Sequence, residues 1–257
     1  MAHEALKERQ SVMWGDGPFV SIAETILDLH QAVAEKLAPS PGERVLDVGC
    51  GTGGVAELLA ATGADVVGVD LAPALVETAK RRAQERGLEI EYVVGDCEDL
   101  PFADREFDGV GSSVGIMFSP DHEAAARELA RVTRSGGRVA LASWKPGAGV
   151  QDLFRIMAPF QPAPPPSSPF DWGDEETVRA LLGDAFELTF ETRVNVARYP
   201  SAEAYWQDMV RNYGPTKVLH ASLGDRGDEL HAAWNDFFGD GAVEHRRPYL
   251  LVSGRRR

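Results

Sequence analysis

The sequence predicts an α/β fold, a parallel sheet covered by helices on both faces. Three observations predict it. Short apolar runs alternate with longer amphipathic segments between residues 44 and 143. The first run ends in an acid and a glycine-rich turn, Val45-Leu46-Asp47-Val48-Gly49-Cys50-Gly51-Thr52-Gly53-Gly54, which passes at once into Val55, Ala56, Leu58 and Leu59. The chain has 257 residues and is 44% apolar, enough for one such domain with an elaboration.

Residues 1–40 read as helical. Ile22, Ile26, Leu29, Val33 and Leu37 recur at helical spacing, and Pro39, Pro41 and Gly42 end the segment. Strands are expected at 44–48, 65–69, 90–94, 107–112 and 138–143, with helices at 53–61, 73–86 and 121–132 between them. Pro73 suits a first helical turn and Gly87 a helix end. The six prolines of 159–169 bar regular structure there. A helix at 175–182 is closed by Gly183, and a strand of mixed polarity falls within 186–196. Residues 202–213 and 216–238 read as helices separated by Gly214-Pro215, and 249–253 as a closing strand that returns to the sheet. The expected organisation is a helical lid at 1–40 and a main domain at 41–257, with a cap or insertion at about 145–245.

Composition weighs against several functions. A net charge of −14 repels nucleic acid. Lys80-Arg81-Arg82, Arg246-Arg247 and Arg255-Arg256-Arg257 are short and read as solvated surface or a frayed tail. No apolar run approaches the span of a bilayer. The start, Met1-Ala2-His3-Glu4, lacks the basic and apolar regions of a secretory signal. Cys50 and Cys97 are too few for a disulfide framework or a zinc cluster, so a reducing cytoplasm and no metal are expected.

The chemistry is carried by the strand ends. Gly49, Gly51 and Gly54 satisfy G-x-G-x-x-G, which a nicotinamide enzyme also shows. Asp47 would repel a pyrophosphate but favour a ligand bearing an ammonium and a sulfonium. It can also brace the turn by accepting backbone N–H bonds. Asp70 closes the second strand nineteen residues after Gly51, where a carboxylate can accept both ribose hydroxyls or cap the next helix. Asp96 can accept from an adenine amino group, with the N–H that follows donating to a ring nitrogen, or serve only the turn. The Cys97 side chain has no assigned role. Ser112 to Gly115 end the fourth strand where a parallel sheet opens its ligand crevice, and Asp108, at its start, reads as structural.

These motifs fall in a recognisable order. Val45–Gly53, Asp70, Gly95-Asp96, Leu100-Pro101-Phe102, Phe107-Asp108 and Ser135-Gly136-Gly137-Arg138 resemble the class I S-adenosylmethionine-dependent methyltransferases. The branch most resembled is that of the ubiquinone and menaquinone biosynthesis methyltransferases (type 11), over residues 10 to 145. The resemblance implies a Rossmann-like three-layer sandwich with a mostly parallel seven-stranded sheet and one antiparallel strand. It implies S-adenosyl-L-methionine as cofactor, S-adenosyl-L-homocysteine as product, and a small apolar or aromatic acceptor, with O-methylation ahead of C- or N-methylation. Trp14-Gly15-Asp16-Gly17, Met117 to His122, Ala142-Ser143-Trp144, Trp172-Gly173 and Tyr213 to Thr216 further resemble a bacterial subgroup of small-molecule methyltransferases. Ser135 stands where that subgroup has proline.

The cofactor site is accordingly expected to use Trp14, Asp47 and the turn residues Gly49, Cys50, Gly51, Thr52 and Gly53. Asp70, Leu71, Asp96, Cys97, Ser112 and Ser113 complete it. Trp14 reads equally as a lid with a cation–π contribution or as an anchor of the first helix. His122 is the candidate base by position, with helix capping as its other reading, and His30 reads as packed. Trp144, Trp172, Tyr205, Trp206 and Tyr213 are candidates for an acceptor pocket or for core. A nicotinamide oxidoreductase, a cofactor-binding protein without transfer, an enzyme using the sulfonium only electrostatically, and a macromolecular acceptor remain open.

Overall fold

The computed structural model describes residues 3–161 and 164–257; Met1, Ala2, and Pro162 and Ala163 of the proline-rich run lie outside the described residues. Five parallel strands, β1 Arg44–Val48, β2 Asp65–Asp70, β3 Ile90–Val94, β4 Phe107–Ser113 and β5 Thr133–Trp144, are continued by β6 Phe186–Tyr199 and β7 Val243–Arg256. The sheet order is β3-β2-β1-β4-β5-β7-β6. β7 is antiparallel to both β5 and β6. This is the Rossmann-like sandwich expected, with its seven strands.

The central strands form because both of their faces are covered. Val45, Leu46 and Val48 are fully buried, so an unbroken apolar run suits them. Strand order reverses between β1 and β4, whose neighbours run outward in opposite directions. That reversal opens a crevice at the carboxyl ends of the two strands.

Helices α1 Glu4–Gly15, α2 Val20–Glu24 and α3 Leu27–Leu37 occupy the region read as helical over 1–40. Phe19 has a left-handed backbone (φ 51°), which stops propagation between the first two. α3 belongs to the core, since Leu29, Val33 and Leu37 are buried in the sheet cluster. α1 buries only Lys7. α4 Gly54–Ala60, α5 Pro73–Glu85 and α6 His122–Val132 follow their strands as expected. Asp121, expected inside the last of these, is its cap: Oδ1 accepts from the Ala124 N–H at 2.9 Å.

Above the sheet lie α7 Val150–Met157, α9 Ala202–Asn212, α10 Gly214–Ser222 and α11 Gly227–Phe238, whereas α8 Glu175–Leu182 packs beside α6 and β6 with Val178 and Leu182 in the sheet core. The helix expected over 216–238 is therefore two, broken by a short turn in which Gly224 has φ 55°. Gly214 and Pro215 begin α10 rather than separating elements. Leu153, Met157, Tyr205, Trp206, Leu230 and Trp234 make a second apolar cluster beside the sheet core. Within 145–245, β6 pairs with β7 from Phe186↔Arg256 to Tyr199↔Val243, so this stretch also supplies the sheet's edge. Among the described residues no helix is long and apolar enough to cross a membrane.

Candidate active site

The crevice above β1 and β4 opens into one cavity. The glycine turn shapes its floor. Gly49 has φ 66°, and a Cβ there would lie 2.7 Å from the Gly115 Cα, so the two loops touch backbone to backbone. Asp70 ties the turn to β2: its carboxylate accepts from the Gly51 N–H at 2.8 Å and the Ala72 N–H at 2.9 Å. Burial raises its carboxyl above the usual range, against the pull of those bonds.

Of the expected cofactor residues, Trp14, Gly49, Cys50, Gly51, Thr52, Asp70, Leu71, Asp96, Cys97 and Ser113 line the cavity. Three do not. Asp47 is 1% exposed and turns toward α4, accepting from the Ala56 N–H at 3.1 Å. Burial pushes its carboxyl up to about 7. Ser112 donates to the Val48 carbonyl at 2.6 Å and accepts from the Ile116 N–H at 3.0 Å, knotting β4 to β1. Gly53 makes room for the Tyr92 ring.

Sequence reasoning missed Lys7. Its ammonium sits 2.6 Å from Asp96 Oδ2 and also pairs with Glu98. Burial opposes the charge, but hydrogen bonds to both acids prevail and raise the Lys7 pKa. The second Asp96 oxygen accepts from the Glu98 N–H at 2.9 Å. Nearby, Gln10 Nε2 donates to the Phe118 carbonyl and the Ser11 hydroxyl to the Leu71 carbonyl. α1 is thus fastened across the rim. Trp14 packs 4.6 Å from Phe118 and 5.7 Å from Tyr213, ring centre to ring centre, so it is both an anchor and a wall.

His122 does not line the cavity, contrary to its expected role as base. It packs edge-on against Trp172, its Nδ1 lies 3.9 Å from Asp171, and burial lowers its pKa. His30 does line the cavity. It is 7% exposed, and burial drives its pKa down to about 4, so the ring is neutral. Both thiols are free and pushed up by burial.

The other half of the cavity is aromatic. Trp144, Tyr205 and Tyr213, candidates for an acceptor pocket or for core, line it, joined by Phe154 and Tyr199. Trp172 and Trp206 are buried elsewhere in the packing. Arg247, expected at the solvated surface, is 6% exposed and lines the same cavity. No periodic signal marks it, because it lies in β7 amid charged neighbours. The hydroxyls of Ser113 and Ser119, both lining residues, are buried without a hydrogen-bond partner among the described residues.

Comparison with known proteins agrees with this geometry. The family described as "Methyltransferase domain" matches residues 46–141. An uncharacterized protein of Mycobacterium tuberculosis is 34% identical, covering 99% of this chain and 96% of its own. The demethylmenaquinone methyltransferase of Beutenbergia cavernae is 35% identical, over 61% of this chain and 70% of its own. The crystal structure of YcgJ from Bacillus subtilis superposes with a TM-score of 0.65 at 21% identity, covering 90% of this chain and 99% of its own; it shares the fold.

Proposed function

This chain belongs to the class I S-adenosylmethionine-dependent methyltransferases, and from that premise we propose that it methylates a small apolar or aromatic metabolite, with oxygen as the receiving atom. One observation carries the reading. A single cavity joins the glycine turn, Asp70 and Asp96 on one side to Trp144, Phe154, Tyr199, Tyr205 and Tyr213 on the other. Polar strand ends suit a nucleoside, and aromatic walls suit a ring.

The residues present fit the cofactor. No side chain fills the turn at Gly51, where a Cβ would meet nothing within 4 Å. The Asp70 carboxylate keeps lone pairs beyond its two backbone bonds, and these would accept the ribose hydroxyls. Asp96 and the N–H that follows it would hold the adenine edge, with Lys7 fixing the carboxylate. Ser113 offers an unsatisfied hydroxyl beside them. Trp14 and α1 would roof the site as a lid.

When bound, S-adenosylmethionine supplies a methyl group already activated on a positively charged sulfur. The protein must then exclude water and align the acceptor in line, about 3–3.5 Å from that carbon. The aromatic walls do the first, and the joining of both halves in one cavity brings the acceptor to the donor. We place the reaction in the cytoplasm, a setting supported by two free thiols.

The test is direct. Folded protein should bind S-adenosylmethionine and S-adenosylhomocysteine, and should release the latter when supplied with hydroxylated aromatic metabolites. Absence of binding would refute the cofactor site. Binding without turnover on any small molecule would leave a cofactor-binding protein or a macromolecular acceptor instead.

A further inference from the structure

Arg247 is a buried cation without a counter-charge. Its Nε donates to Asn195 Oδ1 at 2.6 Å and its Nη2 to the Thr25 carbonyl at 2.7 Å. These acceptors are neutral, as is the Tyr205 hydroxyl, which also hydrogen-bonds the guanidinium. Among the described residues no carboxylate forms an ion pair with it. Asp28 stands one neutral side chain away, beyond Asn195. Asp28 accepts from the Asn195 amide, and Asp208 accepts from the Tyr199 hydroxyl. A guanidinium keeps its proton under all ordinary conditions, so burial cannot be relieved by neutralisation. A buried charge left in this state is costly unless something pairs with it.

The position of Arg247 is informative. β7 runs antiparallel to β5, so the start of β7 lies at the same rim as the end of β5, where Trp144 pairs with Tyr249. The guanidinium carbon is 5.4 Å from the Trp144 ring centre. Tyr199 and Tyr205 are stacked 4.1 Å apart and line the same part of the cavity. The cation therefore sits among the aromatic walls of the acceptor half. A planar fork beside flat rings recognises an anionic oxygen group attached to an aromatic or apolar body.

We propose that the acceptor substrate carries an ionised oxygen group, a carboxylate or a phenolate, and that Arg247 anchors it. This rests on the methyl-transfer reading for the identity of the cavity's two halves. Asn195 and Thr25 hold the guanidinium in place, so the anion finds it already oriented. The acidic net charge of the chain, −14, does not prevent this, because Arg247 lines the cavity at close range and, among the described residues, forms no ion pair with a carboxylate.

The experiment titrates protein saturated with S-adenosylhomocysteine, following tryptophan fluorescence. The probes are one-, two- and three-ring aromatic carboxylic acids, the matching phenols, and the matching primary amides. For the best-fitting ring size, the acid, or the phenol above its own pKa, should bind at least about tenfold tighter than the amide. Acids preferred at neutral pH identify a carboxylate; phenols preferred only when ionised identify a phenolate. In Arg247→Met the preference should vanish while the affinity for S-adenosylhomocysteine stays unchanged. Arg247→Lys, which keeps the charge but loses the fork, should retain part of the preference and serves if the methionine variant does not fold. A purely structural arginine would alter stability without altering the ratio of acid to amide. Equal binding of acid and amide by the wild-type protein, no binding of any probe, or a preference that survives both substitutions would overturn the proposal. Failure of wild-type protein to bind S-adenosylhomocysteine would overturn the methyl-transfer reading instead, and the same titrations without it would judge the anchor alone.

Discussion

Asp70 is the residue whose removal should be felt most at the cofactor. Its two oxygens hold the turn through Gly51 and Ala72 and are the acceptors available for a ribose. Losing two hydrogen bonds to a charged group at about 1.5–3 kcal/mol each predicts that Asp70→Ala weakens S-adenosylhomocysteine binding by at least roughly 100-fold. Calorimetric titration checks this, and an unchanged dissociation constant would reject the ribose role. Two other buried groups should make stability depend on pH in opposite directions. The folded-state pKa of Asp47 is raised to about 7, so between about pH 4 and 7 the folded protein holds a proton that the unfolded chain has lost. Its contribution therefore falls as pH rises through that window. His30 is lowered to about 4, so between about pH 4 and 6.5 the unfolded chain holds the proton that the folded protein refuses. Its contribution rises with pH. Urea midpoints across this range should climb more steeply with pH in Asp47→Asn than in wild type, and less steeply in His30→Gln. Parallel curves for the three proteins would contradict both assignments.

At the scale of elements, legibility followed burial. β1, β2 and β4 have both faces covered, so these strands fall where short apolar or small-residue segments stand in the sequence. β6 is an edge strand interrupted by the charged residues Glu187, Glu191 and Arg193, which hid its true length of 14 residues. β7 begins at Val243 rather than at 249 because Arg246-Arg247-Pro248 reads as a loop when taken alone. The same weakness concealed the site's two cations. Lys7 and Arg247 lie in charged stretches, and only tertiary contacts reveal that they are buried. Asp47 was legible as an acid at the turn, but not the direction of its carboxylate. Lys7 has a consequence for α1. Replacing it by methionine leaves Asp96 and Glu98 without their cation and releases the helix from the rim. Amide exchange across 4–15 should accelerate by about tenfold or more in Lys7→Met, with the strands unaffected. Lys7→Arg should restore protection. Equal protection in wild type and Lys7→Met would show that Gln10, Ser11 and Trp14 hold the helix alone.

The whole molecule has two apolar clusters, and the proposed reaction takes place between them. The larger fills both faces of the sheet, while the smaller joins α7, α9, α11 and the start of β7. Phe154 packs against both. The expected cofactor contacts come from the sheet side, whereas Leu153, Met157, Tyr205 and Met209 of the smaller cluster line the acceptor half. The two functions should therefore separate under mutation. Trp234 is fully buried in the smaller cluster and does not line the cavity. Trp234→Ala should cost about 3–5 kcal/mol there, enough to loosen the cap while the sheet stays folded. Thermal unfolding of this variant should then show two steps. S-adenosylhomocysteine should raise the later step, because a ligand stabilises only the unit that binds it. Its affinity should stay within a few-fold of wild type while turnover of any acceptor collapses. A single cooperative step that S-adenosylhomocysteine raises as a whole would mean that Phe154 and the β6–β7 pair weld the clusters into one unit. The acceptor half could then not be lost without the cofactor half.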